Sequence, residues 1–281
     1  MDLGVTTFVT DQTIDPARLA SEVEQRGLES LFLPEHTHIP TSRLTPYPMG
    51  GELPEEYKRT LDPFVALAAA ASATSRLRLG TGVCLVAQRD PIVLAKEVAT
   101  LDHLSGGRFV FGIGYGWNRD ELEDHGVAFA ERREVVRQRV LAMKALWARE
   151  PTGFSGEHAR VSPSWAWPKP AQEPHPPIVV GGAAGPSLFR HVCEFADGWS
   201  PIGGSGLRAA LAELARRAEE AGRDPASIEV SVTWAQPELG RLEHYASLGV
   251  RRVVLGLPPG GPDQVLPVLD GFARLAEALA G

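Results

Sequence analysis

The sequence predicts an α/β fold: a closed (β/α)8 TIM barrel forming one domain over residues 1–281. Short apolar runs alternate with amphipathic runs of helical period almost without interruption. Eight strand-like runs can be counted, each followed by a helix-like one. Asp-Pro or Gly-Pro steps open several of those helices just past a strand end. Strands separated by helices run parallel with right-handed crossovers, and eight such units close, whereas a doubly wound sheet stops sooner.

Leu3–Phe8 reads as the first strand, and Asp15 caps a helix to Arg26 that Gly27 ends. Ser30–Leu33 is the second strand, followed by a Pro-rich insertion, Pro34–Leu61. Asp62-Pro63 opens an Ala-rich helix to Thr74, Leu77–Leu85 is the third strand, and Asp90-Pro91 opens a helix to Leu104. Arg108–Ile113 is the fourth strand, Glu131–Arg149 its helix, and Pro151–Pro177 a second insertion, rich in Pro and Trp, before strand five. Ile178–Val180, Gly198–Ser200, Ile228–Thr233 and Arg252–Leu257 are the remaining strands. Their helices are Pro186–Phe195, Leu207–Gly222, Leu239–Leu248 and Gln264–Leu279.

A net charge of -7 with scattered Lys and Arg argues against nucleic-acid binding. The longest small-apolar run, Phe64 to Ala73, is too short to span a bilayer. The opening Met1-Asp2-Leu3-Gly4 leaves no room for a signal peptide, and Cys84 and Cys193 lack metal spacing and read as buried thiols. Together these place the chain in the cytoplasm.

In such a barrel, chemistry belongs where strands end and helices begin, so Pro34–Leu61 is a lid candidate. Gly181-Gly182-Ala183-Ala184-Gly185-Pro186 joins a strand to a helix and offers backbone N–H groups to a phosphate. Gly112-Ile113-Gly114-Tyr115-Gly116-Trp117 lets a flat ring lie against backbone, and Gly80-Thr81-Gly82-Val83 puts glycine inside a strand, the mark of a bulge or a close approach. Glu35-His36-Thr37-His38 is the only general acid/base cluster at this face. It also suits a His-x-His metal site, but strands five and six end in Gly181-Gly182 and Ser200-Pro201, so no metal is expected. The other histidines, among them His125 and His191, read as unremarkable, and the run Glu131–Arg139 as a solvated face.

Together these positions resemble the luciferase-like monooxygenase superfamily, barrel enzymes using FMN or the deazaflavin coenzyme F-420. The most specific stretch runs from Arg89-Asp90-Pro91-Ile92-Val93-Leu94-Ala95-Lys96 to Ser105-Gly106-Gly107-Arg108. Pro34-Glu35-His36-Thr37-His38-Ile39-Pro40, with Gly50-Gly51-Glu52-Leu53-Pro54 and Leu61-Asp62-Pro63-Phe64, is similar to an actinobacterial subgroup assigned to the deazaflavin. The resemblance implies a hydride-transferring oxidoreductase, with a reduced-FMN monooxygenase as the alternative. A metal-dependent barrel hydrolase and a non-catalytic flavin-binding protein are the readings of other classes. It implies that His36 faces the reactive centre with Glu35 tuning it, and that a cis non-proline peptide at Gly82-Val83 lies under the ring. Phe8, Thr81, Gly114, Tyr115, Gly116 and Trp199 are expected to line the cofactor, and Gly181, Gly182, Ala183 and Ala184 to hold its phosphate. Relatives acting on charged substrates place a carboxylate after the strand-four glycines. Trp117 stands there instead, so an apolar or planar small molecule is expected, and Glu121 is expected to reach the site only by loop movement. Relatives often form homodimers, which is the expectation here.

Overall fold

The computed structural model describes residues 1–280. In it β1 (Asp2–Thr6), β2 (Ser30–Leu33), β3 (Arg78–Thr81), β4 (Phe109–Ile113), β7 (Ile178–Gly181), β8 (Gly198–Ser200), β9 (Glu229–Ala235) and β10 (Arg252–Gly256) close into a parallel barrel in that order. Helices α1 (Pro16–Gln25), α2 (Pro63–Ser72) and α3 (Pro91–Leu104) follow the first three strands. Asp15, Asp62 and Asp90 cap them, each carboxylate accepting from two N–H groups of the first turn while proline takes the first helical position. After β4 come α4 (Arg119–Asp124) and α5 (Arg132–Trp147), then a two-stranded hairpin of β5 (Phe154–Ser155) and β6 (Arg160–Val161). Helices α6 (Pro186–Phe195), α7 (Leu207–Glu220), α8 (Leu239–Ser247) and α9 (Pro262–Ala280) complete the ring.

Inside the barrel, Phe32, Val110, Val179 and Val254 form one buried layer. Gly80 makes room for it, since a Cβ there would lie 2.3 Å from the Phe32 ring. Beneath, Glu29 takes both arms of the buried Arg252 guanidinium at 2.7 Å. The larger apolar core lies between the outer strand faces and the helices.

Four expectations are corrected, and the second insertion, whose position the sequence leaves open, is placed. The first strand ends at Thr6 rather than Phe8, and the third at Thr81 rather than Leu85, because the chain turns through a cis Gly82–Val83 peptide and then a 3-10 turn, Val86–Gln88. Helix α4 lies in the stretch read as a loop after strand four. The second insertion carries the hairpin and packs outside the barrel on α3 and α5, with Lys96 Nζ donating to the Trp167 carbonyl. Its Trp165 and Trp167 are exposed and do not reach the mouth. Cys193 is half-buried rather than buried, while Cys84 is buried.

Candidate active site

A cavity of about 500 Å³ opens at the C-terminal mouth of the barrel, the size of a small-molecule site. Its floor is set by the turn after β3. There the Val83 side chain nests between two glycines: a Cβ at Gly114 would lie 2.4 Å from Val83 Cγ2, and one at Gly181 2.7 Å from Val83 Cγ1. The turn is tied to β4 on both sides of the cis peptide. Thr81 Oγ1 donates to the Gly112 carbonyl at 2.6 Å, and Cys84 N donates to the same carbonyl at 2.8 Å. Gly114 N returns a bond to the Cys84 carbonyl at 3.0 Å. Gly116, at φ +76, turns the chain away from the wall in a conformation that disfavours a side chain.

Above this floor His36 leaves β2 with its ring buried. Its Nδ1 lies 2.8 Å from Glu121 Oε2, and Glu121 on α4 is wholly buried. Glu121 Oε1 accepts from Thr37 N at 3.2 Å, and Asn118 Nδ2 approaches Oε2 at 3.4 Å. A carboxylate held in this way fixes the ring and leaves Nε2 as the nitrogen free to exchange a proton. This overturns the expectation that Glu121 arrives only by loop movement, because the six-residue helix already delivers it to the histidine. It equally overturns the pairing of His36 with Glu35. The Glu35 side chain accepts from Leu85 N and from Arg89 Nε, each at 2.6 Å. Arg89 also binds Asp62 and Glu97. Glu35 thus anchors the turn after β3 rather than tuning the base.

The lid folds over this pair. Tyr57 packs on His36 with ring centroids 5.0 Å apart, and Trp117 meets the same ring edge-on at 5.8 Å. Phe8 stacks on Tyr57 at 4.5 Å. Asp120 on α4 fastens the lid by accepting from Leu44 N, Thr45 N and the Thr45 hydroxyl. Those bonds pull its carboxyl down to about 2. His125, read from sequence as unremarkable, joins the clasp by bonding Thr37 Oγ1 at 2.9 Å.

The other end of the cavity is electropositive. Gly181 and Gly182 line it, and α6 starts at Pro186 with no side chain capping its first turn, unlike α1, α2 and α3. Ala183 and Ala184 are exposed and lie outside the cavity lining. Arg132 and Arg133, from the start of α5, line the same end. Among the described residues neither has a carboxylate partner within ion-pair distance. Burial and the neighbouring Arg133 and Arg119 push the Arg132 guanidinium below its usual range, and its Nε is buried without a partner. Arg133 lies 4.8 Å over the Tyr115 ring, whose hydroxyl pairs with His191 Nδ1 at 2.9 Å. Sequence reading missed both arginines, which lie in a run read as a solvated helix face. Trp199, expected beside the ring, faces outward instead. Its Nε1 donates to the Gly182 carbonyl at 2.9 Å and its ring packs edge-on against Phe189, leaving Ser200 to line the cavity.

A cavity with glycines in its wall, a buried acid/base pair and two arginines without carboxylate partners has the donor set for a planar ring with an anionic tail. Among the described residues no cluster of three or more His, Cys, Asp or Glu is arranged to hold a metal ion. No described helix is long and apolar enough to cross a membrane.

The closed barrel with this cavity at its C-terminal mouth defines the class: an α/β-barrel enzyme. The chain belongs to the luciferase-like monooxygenase family, whose model matches residues 9–235. It is 42% identical over 289 aligned positions to an uncharacterized protein of Mycobacterium tuberculosis, covering 100% of this chain and 99% of that one. It is 30% identical to the F-420-dependent glucose-6-phosphate dehydrogenase of Kineococcus radiotolerans over 77% of this chain and 61% of the relative. Among solved structures it resembles monooxygenase RslO1 from Streptomyces bottropensis, with a TM-score of 0.81, 20% identity and 100% of both chains covered.

Proposed function

We propose that the chain is a coenzyme F-420-dependent oxidoreductase that moves a hydride to or from a small organic substrate. The observation that carries this reading is the His36–Glu121 pair, buried over a glycine-walled floor with unpaired arginines at the far end of the same cavity. The name of the Kineococcus relative supports the deazaflavin. When bound, the deazaflavin supplies a two-electron centre that accepts or donates hydride.

The residues of the chain do the rest. Val83, Gly82, Gly114 and Gly181 would hold the ring at the cavity floor, with Thr81 fixing the turn that carries them. Arg132, Arg133 and the N–H groups at the start of α6 hold the anionic tail by charge and by helix-end dipole. For an alcohol substrate, His36 Nε2 takes the hydroxyl proton as the carbon gives up hydride, and the Glu121 carboxylate stabilises the imidazolium through Nδ1. In the opposite direction His36 returns that proton to the forming alkoxide. Tyr57, Trp117 and Phe8 keep water from the reacting atoms and hold substrate at attacking distance. Exposed Val65 on α2 and Ile92 and Val93 on α3 support a homodimer, and the two cysteines, both free thiols, support a cytoplasmic enzyme.

Anaerobic turnover tests the reading. Oxidised coenzyme F-420 is expected to be reduced by an alcohol without oxygen, and the His36→Gln variant is expected to bind the coenzyme but not reduce it. Turnover that requires reduced FMN and oxygen would instead establish the monooxygenase reading, toward which the likeness to RslO1 points.

A further inference from the structure

Across the mouth from Val83, the cavity wall is built differently. In the closed order β9 stands four strands from β3, so the chain leaving β9 faces the turn that supports the ring. Just before that end, β9 itself holds Trp234 at φ 56, among the described residues the only residue other than glycine with positive φ. A bulky side chain in the left-handed region is rare and unfavourable, and such positions gather where the surroundings over-determine the backbone for use. Here the surroundings include a made seat. A Cβ at Gly256 would lie 2.4 Å from Trp234 Cε3, so the indole lies directly on the Gly256 backbone at the end of β10. The β9–β10 register shifts at Val254/Leu255, beside this contact. Even so, Trp234 is 40% exposed and lines the cavity. Ile202, whose backbone bridges to Thr233, lines it too and is 67% exposed.

The charge distribution points the same way. Ser200, Ile202, Ser231, Thr233, Trp234 and Val254, which line this side, include no ionisable group. The Ser200 hydroxyl is already bonded to the Ser231 carbonyl at 2.8 Å and to Thr233 Oγ1 at 2.6 Å. Among the described lining residues, only Arg132 and Arg133 carry permanent positive charge, and they stand at the end assigned to the cofactor tail. A phosphorylated or carboxylated substrate entering beside Trp234 meets no cation.

We infer that Trp234 and Ile202 form the substrate platform, and that the substrate is an uncharged alcohol or ketone with a bulky hydrocarbon body. This rests on the redox reading above for the reacting group, while the platform itself rests on Trp234, Ile202 and the seat at Gly256.

The test uses full-length protein loaded with oxidised coenzyme F-420. Menthol, isopropanol and glucose 6-phosphate are compared as hydride donors, and menthone binding is followed by calorimetry. Menthol is expected to be preferred, and glucose 6-phosphate to be inert. Because the platform buries hydrocarbon, Trp234→Ala is expected to lower the menthol-to-isopropanol ratio of kcat/KM and to weaken menthone binding, each roughly tenfold. Gly256→Ala, which displaces the indole without removing it, is expected to act in the same direction, with coenzyme Kd within about twofold in both variants. A ratio unchanged in both variants, or glucose 6-phosphate as the best donor, overturns the platform. If no donor turns over, menthone binding that weakens in Trp234→Ala keeps the platform and removes the redox reading. No menthone binding at all removes the platform.

Discussion

Glu121 on α4 and His36 at the end of β2 meet at 2.8 Å across 85 residues of sequence, and neither side chain is more than 7% exposed. A buried carboxylate bonded to one imidazole nitrogen holds the ring in place and favours charge on it once the other nitrogen takes a proton. It acts through His36 and touches no substrate, so it is a positioning residue. Replacing Glu121 with Gln keeps the size and the Thr37 contact but removes the charge. With acid/base help contributing roughly 10²–10⁴-fold, Glu121→Gln is expected to lower kcat at least about a hundredfold. Coenzyme Kd should change little. Stopped-flow reduction across pH checks this, and a kcat within threefold of wild type, with an unaltered pH profile, would show the pair to be structural only.

Glu35 is expected to report on folding rather than chemistry. Its side chain is 1% exposed and holds Arg89, which is 14% exposed. Arg89 keeps Asp62 and Glu97 when the Glu35 charge is removed, so the loss is that of the charge-assisted bonds to Arg89 and Leu85 N, about 1.5–3 kcal/mol. Glu35→Gln should therefore shift the urea midpoint well below wild type. Whatever fraction remains folded should retain the pH dependence of wild-type turnover, which an activity assay normalised to folded protein will reveal.

The contrast between these two glutamates shows how far sequence carries. Asp15, Asp62 and Asp90 before prolines mark helix starts, and glycines inside strands mark where backbone must approach something, because both are local steric demands. His36 was legible because acid/base side chains at strand ends are few. Glu121 was not, since a pair formed across the lid leaves no periodic trace. Adjacency to His36 singled out Glu35 although successive residues there point to different sides. Arg132 and Arg133 sit in a run of mixed charge, and sequence counts charges without saying which lack partners. A three-residue strand such as Gly198–Ser200 does not reveal which face looks into the barrel, which is why Trp199 was read inward and lies outward.

Gly114 should tolerate no side chain. A methyl group there would stand 2.4 Å from Val83 Cγ2 and must displace the floor of the slot. Overpacking of this kind costs about 1–3 kcal/mol. A displaced Val83 no longer meets the ring as before, so Gly114→Ala is expected to weaken coenzyme binding roughly tenfold, which a fluorescence titration measures. Unchanged Kd would mean that the ring does not lie on Val83.

With the anionic tail at the arginine end, as proposed, coenzyme binding is expected to be salt-sensitive. Charge-assisted hydrogen bonds contribute about 1.5–3 kcal/mol, so Arg133→Ala should raise coenzyme Kd roughly tenfold or more. Its loss should also flatten the dependence of Kd on salt, because fewer charges remain to be screened. Equal salt dependence in variant and wild type would place the anion elsewhere.

His191 gives the stability a pH dependence with a defined sign. It is buried on α6, with Nδ1 on the Tyr115 hydroxyl and Nε2 without a partner. Burial, with Arg190 nearby, pushes its pKa down from 6.5 to about 4. Between those two values the unfolded chain binds a proton that the native state refuses, so stability falls as pH drops through that window and is unaffected above it. The slope contributed by one such group approaches about 1.4 kcal/mol per pH unit. His191→Gln preserves an acceptor for Tyr115 and removes the titration. The difference in urea midpoint between pH 7 and pH 5 should therefore be smaller in the variant than in wild type. Identical differences would mean that His191 is protonated in the native state as readily as in the unfolded chain.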